Sequence, residues 1–153
     1  MARMTRRTID GANTANDERL QDALVQTSYA VVNIVSKVAA QHELSLTLLR
    51  VLGILRDRTP AMSELAEYLG IDHSSATGLV DRAVARGFVR KISDEQDRRS
   101  IRVAPTDQGQ ILAKSCSEEV RLELEPRIAR LSPARQDQLA RLLEALDGVS
   151  ASE

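Results

Sequence analysis

Aromatic side chains are almost missing from this chain. Among 153 residues there is no tryptophan, and only Tyr29, Tyr68 and Phe88 carry a six-membered ring. Proteins that hold single-stranded nucleic acid stack bases on aromatic platforms, so this composition argues against that class. The core must be built from leucine, valine, isoleucine and alanine, which favours helix packed on helix. Cysteine is scarce as well. Cys116 stands alone, so no disulfide can form within the chain, and a reducing, cytoplasmic setting is expected. Two histidines, one cysteine and no glycine-rich phosphate loop leave no catalytic constellation, so neither an enzyme nor a cofactor is expected. Charge of one sign is not in excess either. The formal net charge is −1 and the pI about 6.2, which argues against a general binder of polyanions. Any contact with nucleic acid must come from a local basic surface. No apolar run approaches the roughly 20 residues that span a bilayer, so no membrane partner is expected. Residues 1–16, MARMTRRTIDGANTAN, open with basic residues but no apolar segment follows them. They read as a polar, flexible tail and not as a secretory signal.

What the chain does have is helical periodicity. Over residues 17–40, Leu20, Leu24, Thr27, Val31, Ile34 and Val38 recur at steps of three and four, one face of a long helix. A second helix is expected over 45–57, with Ser45 as its cap and Leu48, Leu49, Leu52 and Leu55 inside. Thr59-Pro60 breaks the pattern. A third, over 63–69, is capped by Ser63, turns Leu65, Ala66 and Leu69 inward, and stops at Gly70. Asp72 caps a fourth over 73–86, whose inner face is Ala76, Leu79, Val80 and Ala83, and Gly87 stops it. Two helices this close are spaced as in a helix-turn-helix. Residues 88–92 and 101–103 are short β-type segments, the arms of a hairpin. Thr106 caps a fifth helix carrying Ile111, Leu112, Val120, Leu122 and Leu124, which Pro126 should kink or end. Ser132-Pro133 opens a last helix striped by Leu139, Leu142, Leu143 and Leu146.

Basic residues crowd one stretch: Arg82, Arg86, Arg90, Lys91, Arg98, Arg99 and Arg102. Residues 94–103, DEQDRRSIRV, place two adjacent arginines at the expected hairpin tip. An arginine there can enter a narrow minor groove, where the potential is most negative. Asp97, two residues from Arg99, and Asp81, on the outward face of the fourth helix, can hold such a guanidinium in position. The ordinary alternative is a solvated turn with incidental ion pairs, each worth about 0–1 kcal/mol. In a helix-turn-helix the start of the second helix enters the major groove. In this chain that start offers His73, Ser74, Ser75, Thr77 and Gly78. Small hydroxyls can meet phosphates or base edges, and Gly78 permits close approach, but the same residues suit any helix start.

The segment from Ser63 to Gly109 resembles the winged helix-turn-helix core of the MarR (multiple antibiotic resistance regulator) family. The matching pieces are SELA in the third helix, SSATGLVDRAVARGFV in the fourth helix and first strand, DxxDRRS in the wing, and TDQG opening the fifth helix. The fold this implies is mainly α with a small β-hairpin wing. A DNA-binding lobe over 45–106 lies between a dimerisation helix over 17–44 and dimerisation helices over 107–153. The resemblance implies a homodimer joined through the first, fifth and sixth helices, with Leu20, Leu24, Leu139, Leu142, Leu143 and Leu146 as its apolar contacts. It implies double-stranded DNA as partner, in the form of a palindromic operator. The fourth helix, with Arg82 and Arg86, would lie in the major groove. In the wing, Arg99 would probe the minor groove, Asp81 and Asp97 would be its salt-bridge partners, and Arg98 would lie beside the backbone. Most members of the family repress their targets. Many release DNA when a small aromatic or phenolic effector binds between dimer base and lobe. Tyr29, His42 and Arg50 are the candidate contributors to that pocket, against the plainer reading of each as a packing or surface residue.

Three alternatives share the fold. A thiol sensor needs a reactive cysteine near the start of the first helix, and none stands there. A zinc sensor could use His42 and Glu43, but the other histidine, His73, belongs to the reading head. A winged-helix module that binds protein instead of DNA would have no use for an arginine-tipped hairpin.

Overall fold

The computed structural model describes the backbone of residues 2–93 and 100–146 and the side chains of residues 15–93 and 100–146. Among these, six helices and one hairpin follow in the order α1 (Ala2–Gln41), α2 (Leu46–Leu55), α3 (Met62–Leu69), α4 (His73–Ala85), β1 (Val89–Ser93), β2 (Ile101–Pro105), α5 (Asp107–Ile128) and α6 (Pro133–Leu146). This is the mainly helical, winged architecture expected.

Local chemistry sets most of the boundaries. Ser45 Oγ accepts the Leu48 N–H at 3.1 Å, and Thr106 Oγ1 accepts the Gly109 N–H at 3.0 Å. Each satisfies a donor that a helix start leaves unpaired. Gly70 and Gly87 take φ of 68° and 76°, the left-handed stops that their sequence context requires. Ser63 is not the cap of α3. Ala61 occupies the cap position, and the Glu64 carboxylate reaches back to accept its N–H at 2.7 Å. A glutamate three residues into a helix can supply that half of a capping box without a capping hydroxyl. Pro126 stands inside α5, which runs on for two more residues to Ile128.

One core joins every element except α6. Val38, Leu52, Leu55, Leu65, Val80, Val89, Val103 and Cys116 are all but fully buried in it. The hairpin is antiparallel, with Val89 opposite Pro105 and Ser93 opposite Ile101. Its outer strand gains a short partner where Val103 N–H donates to Pro60 at 2.9 Å. The fifth helix meets the lobe through small residues. Gly109, Ala113 and Cys116 are its buried positions, while Ile111 and Leu122 are exposed. The Thr106 hydroxyl donates to the carbonyl of Gly87 at 2.6 Å, which fixes the start of α5 against the hairpin.

The first helix departs from expectation in three ways. It begins at Ala2, so helix replaces the tail expected over 1–16. The apolar stripe marks where a helix is packed, not where its backbone begins. Its segment Ala15–Gln41 also contains an 18-residue window of mean hydropathy 1.2, long and apolar enough to cross a bilayer by length and composition alone. And it has two apolar faces. Ile34 and Val38 are buried in the core, whereas Val25, Tyr29 and Val32, at steps of four and three, form a second stripe left exposed. Two stripes divided by Gln26 and Asn33 on one side and Ser28 on the other describe a helix between two protein surfaces more simply than one in lipid.

Candidate nucleic-acid interface

The exposed start of α4 is organised by one carboxylate. Asp72 accepts the Ser75 N–H at 2.8 Å and the hydroxyls of Ser74 and Ser75 at 2.5 and 2.6 Å. These bonds, the two hydroxyls first, hold its carboxyl well below the usual carboxylate range. The Thr77 hydroxyl donates to the His73 carbonyl at 2.9 Å. Three hydroxyls expected to face DNA are therefore engaged at home. Each must exchange a local bond to donate to a phosphate, and Asp72 brings an anion of its own to the helix start. Cations beside them must supply the attraction.

Two cations are placed to do so. Gly78 has no side chain, and a Cβ built there would stand 3.6 Å from Arg82 Nη1. Helical side chains lean toward the N-terminus, so the Arg82 guanidinium lies back over Gly78, on the exposed face of α4. Between α3, α4 and the hairpin runs an open cleft of about 390 Å³ edged by Ser63, His73, Thr77 and Lys91. An ammonium, an imidazole and hydroxyls are donors that suit a phosphate.

Lys91 also reaches across to α4, where its Nζ lies 2.5 Å from Asp81 Oδ1. The helix aspartate thus holds a cation of the hairpin, and Lys91 on β1 is that cation among the described residues. Arg98, Arg99 and Asp97 lie outside the described residues. Arg86 stands at the other end of the helix. It is the last residue of the α4 turn, about 20 Å from His73 at 1.5 Å per residue. Its Nη1 donates to the carbonyl of Glu43 at 3.0 Å, and its guanidinium sits 4.8 Å from the Phe88 ring centroid. It is committed to the end of α1, away from the reading end. Proximity in sequence groups it with the DNA contacts; the length of the helix takes it away from them.

The three candidates for an effector pocket are not brought together. Tyr29 is 62% exposed. His42 Nε2 and Glu119 Oε1 are 2.8 Å apart, linking α1 to α5. Arg50 donates to the carbonyls of Tyr68 and Leu69 at 2.6 and 3.2 Å, closing the end of α3. Burial first, and the Glu119 carboxylate second, push the Cys116 thiol up. A buried thiol held protonated is a poor nucleophile, which weighs against redox sensing.

The leucines assigned to dimerisation are at the surface. Leu20 is exposed and Leu24 half-buried, and α6 buries no residue, with Leu139, Leu142, Leu143 and Leu146 all open. The Val25–Tyr29–Val32 stripe of α1 is likewise exposed, and in the sequence it is masked by the stronger stripe on the same helix.

Residues 42–100 match the family model described as MarR family. The chain is 34% identical over 92 residues to the uncharacterised HTH-type transcriptional regulator YfiV of Bacillus subtilis, a match covering 60% of this chain and 58% of that protein. It is 30% identical over 100 residues to the HTH-type transcriptional regulator PecS of Dickeya dadantii, covering 63% of this chain and 60% of that one. The matches thus span about three fifths of the length of these relatives. Among solved structures, NadR in complex with 4-hydroxyphenylacetate superposes with a TM-score of 0.75 at 22% identity, covering 86% of this chain and 94% of that one. With its helix-turn-helix, its hairpin wing and the long helices on either side, the chain is similar to the MarR family, whose model matches residues 42–100.

Proposed function

We propose that this protein is a homodimeric, sequence-specific DNA-binding transcriptional regulator that works in the cytoplasm. It represses by occupying a palindromic operator, and a small phenolic effector releases it. The observation that carries the DNA reading is the exposed face of α4, where Arg82 lies over Gly78 beside a cleft edged by His73 and Lys91. Two copies related by a two-fold axis present two such faces to a palindrome. Arg99 remains the proposed minor-groove probe, by resemblance. The effector part rests on the solved NadR complex, which holds 4-hydroxyphenylacetate.

The test is to select duplexes from random sequence with the purified protein and measure affinity against salt. A palindromic winner is expected, with log affinity falling by about 0.9 per phosphate neutralised for each unit of log salt. Arg99→Ala should weaken binding to that duplex by about 1–3 kcal/mol, the worth of a good groove contact, with the dimer intact. Selection of no duplex would instead favour the protein-interaction reading, and an unchanged Arg99→Ala affinity would remove the wing from the mechanism. Titrating 4-hydroxyphenylacetate into the complex tests the effector class directly.

A further inference from the structure

Beyond the shared apolar core that packs α2 on α1 and α5, two polar ties join the lobe to the long helices among the described residues. One is the start of α5, where Thr106 N–H donates to the Phe88 carbonyl at 3.0 Å and Gly109 lies against the same carbonyl. The other is the end of α1, where Arg86 donates to Glu43. That second tie is firmly built. Glu43 takes φ of 56°, a left-handed conformation uncommon for a residue with a Cβ. The turn is closed by Glu43 N–H to Ala40 at 3.1 Å and Leu44 N–H to Ala39 at 2.8 Å. The residue before it, His42, is held to Glu119 of α5. The carbonyl that Arg86 grips therefore belongs to a turn pinned on both sides. On the lobe side, the guanidinium lies over Phe88, a buried residue that leads directly into the first strand of the wing.

The consequence is mechanical. From Arg86 to His73, α4 is a lever about 20 Å long, so a rotation of about 10° at one end moves the other by roughly 3 Å. Apolar packing of α2 on α1 and α5 is non-directional and tolerates small rocking of the lobe; the directional Arg86 tie opposes it.

We propose that Arg86 is a positioning residue: it fixes the tilt of α4 against the dimer base, and so sets the separation of the two reading heads. This rests on the proposed function, a dimer on a palindrome. Arg86 then determines which spacing of half-sites is accepted, without touching DNA.

The probe is the palindromic duplex selected by the wild-type protein, compared with the same duplex carrying one or two extra central base pairs. The wild type should discriminate strongly between them. Arg86→Ala should lower that discrimination by about five- to tenfold, the size of effect expected when a coupling contact is lost. Its salt slope on the selected duplex should not change. Arg86→Lys keeps the charge but not the forked, stacked guanidinium, and should behave like Arg86→Ala. Arg86 is exposed, so both variants should fold, which their thermal melts will report. Unchanged spacing discrimination would overturn the proposal. So would a slope shallower by about 0.9 that lysine restores, because Arg86 would then be a phosphate contact. If the wild type selects no palindrome, the DNA reading itself fails and this proposal falls with it.

Discussion

Gly109→Ala should lower the thermal midpoint by about 6–12 °C, equivalent to about 3 kcal/mol, the upper part of the usual range for overpacking. A Cβ at this position would stand 1.9 Å from the carbonyl oxygen of Phe88 and 2.9 Å from its carbon. Both are backbone atoms, so no side chain can swing aside to make room. Moving α5 outward is costly in its turn. Thr106 holds the helix start by donating to Gly87 at 2.6 Å and accepting from Gly109 at 3.0 Å, and its own N–H is bonded to Phe88. Ala113 and Cys116, the next buried positions of α5, would lose contact with the core together. Gly53→Ala is the matched control. It too is a helical glycine, but a Cβ there meets nothing within 4 Å. It should raise stability by about 0.5–1 kcal/mol through helix propensity alone. The two melts run side by side read the difference between a glycine that makes room and one that does not. Equal midpoints for Gly109→Ala and wild type would show that α5 does not sit this close to the hairpin.

Leu142→Asp should dissociate the proposed dimer. Leu142 is 57% exposed in the single chain, on a helix that buries nothing of its own. A leucine removed from water is worth about 1.5–3 kcal/mol. In a two-fold dimer each substitution occurs twice. The expected loss is therefore about 4 kcal/mol per dimer, close to a thousandfold in the dissociation constant. An ionised aspartate in an apolar contact adds to that loss. Operator affinity should fall with it, because one reading head cannot use both halves of a palindrome. Sedimentation across a concentration series measures the first effect, and duplex binding the second. A dimer as tight as wild type would place the interface elsewhere and leave α6 without a role.

Much of the fold is legible in the sequence because it is written in local rules. Asp72, Thr106, Gly70 and Gly87 are capping residues whose chemistry needs no knowledge of the rest of the chain. The stripe of Ile34 and Val38 points to the core by period alone. The residues that sequence misplaces are those whose role depends on distance across the fold. Arg86 looks like one more cation of a basic cluster, yet its bond to Glu43 spans 43 positions. His42 finds Glu119 across 77. Asp81 is expected to pair with Arg99, which lies outside the described residues; among those described it holds Lys91, a pairing that only the folded hairpin brings about. The close packing of α5 also leaves a mark in the sequence. A glycine in the first turn of a helix, as in TDQG, costs helix stability, and the close approach at Phe88 is the reason to accept that cost.

The scarcity of rings gives the molecule an optical property. With no tryptophan, its near-ultraviolet signal comes chiefly from two tyrosines. Tyr68 lies beneath Arg58, whose guanidinium is 5.1 Å from its ring centroid, on the lobe and away from α6. Tyr29 stands on the open stripe of α1. Pairing of the long helices would bury Tyr29 and leave Tyr68 as it is, so dilution should change tyrosine emission before it changes helix content. The chain carries its own fluorophore for self-association, and no label need be placed near the reading head.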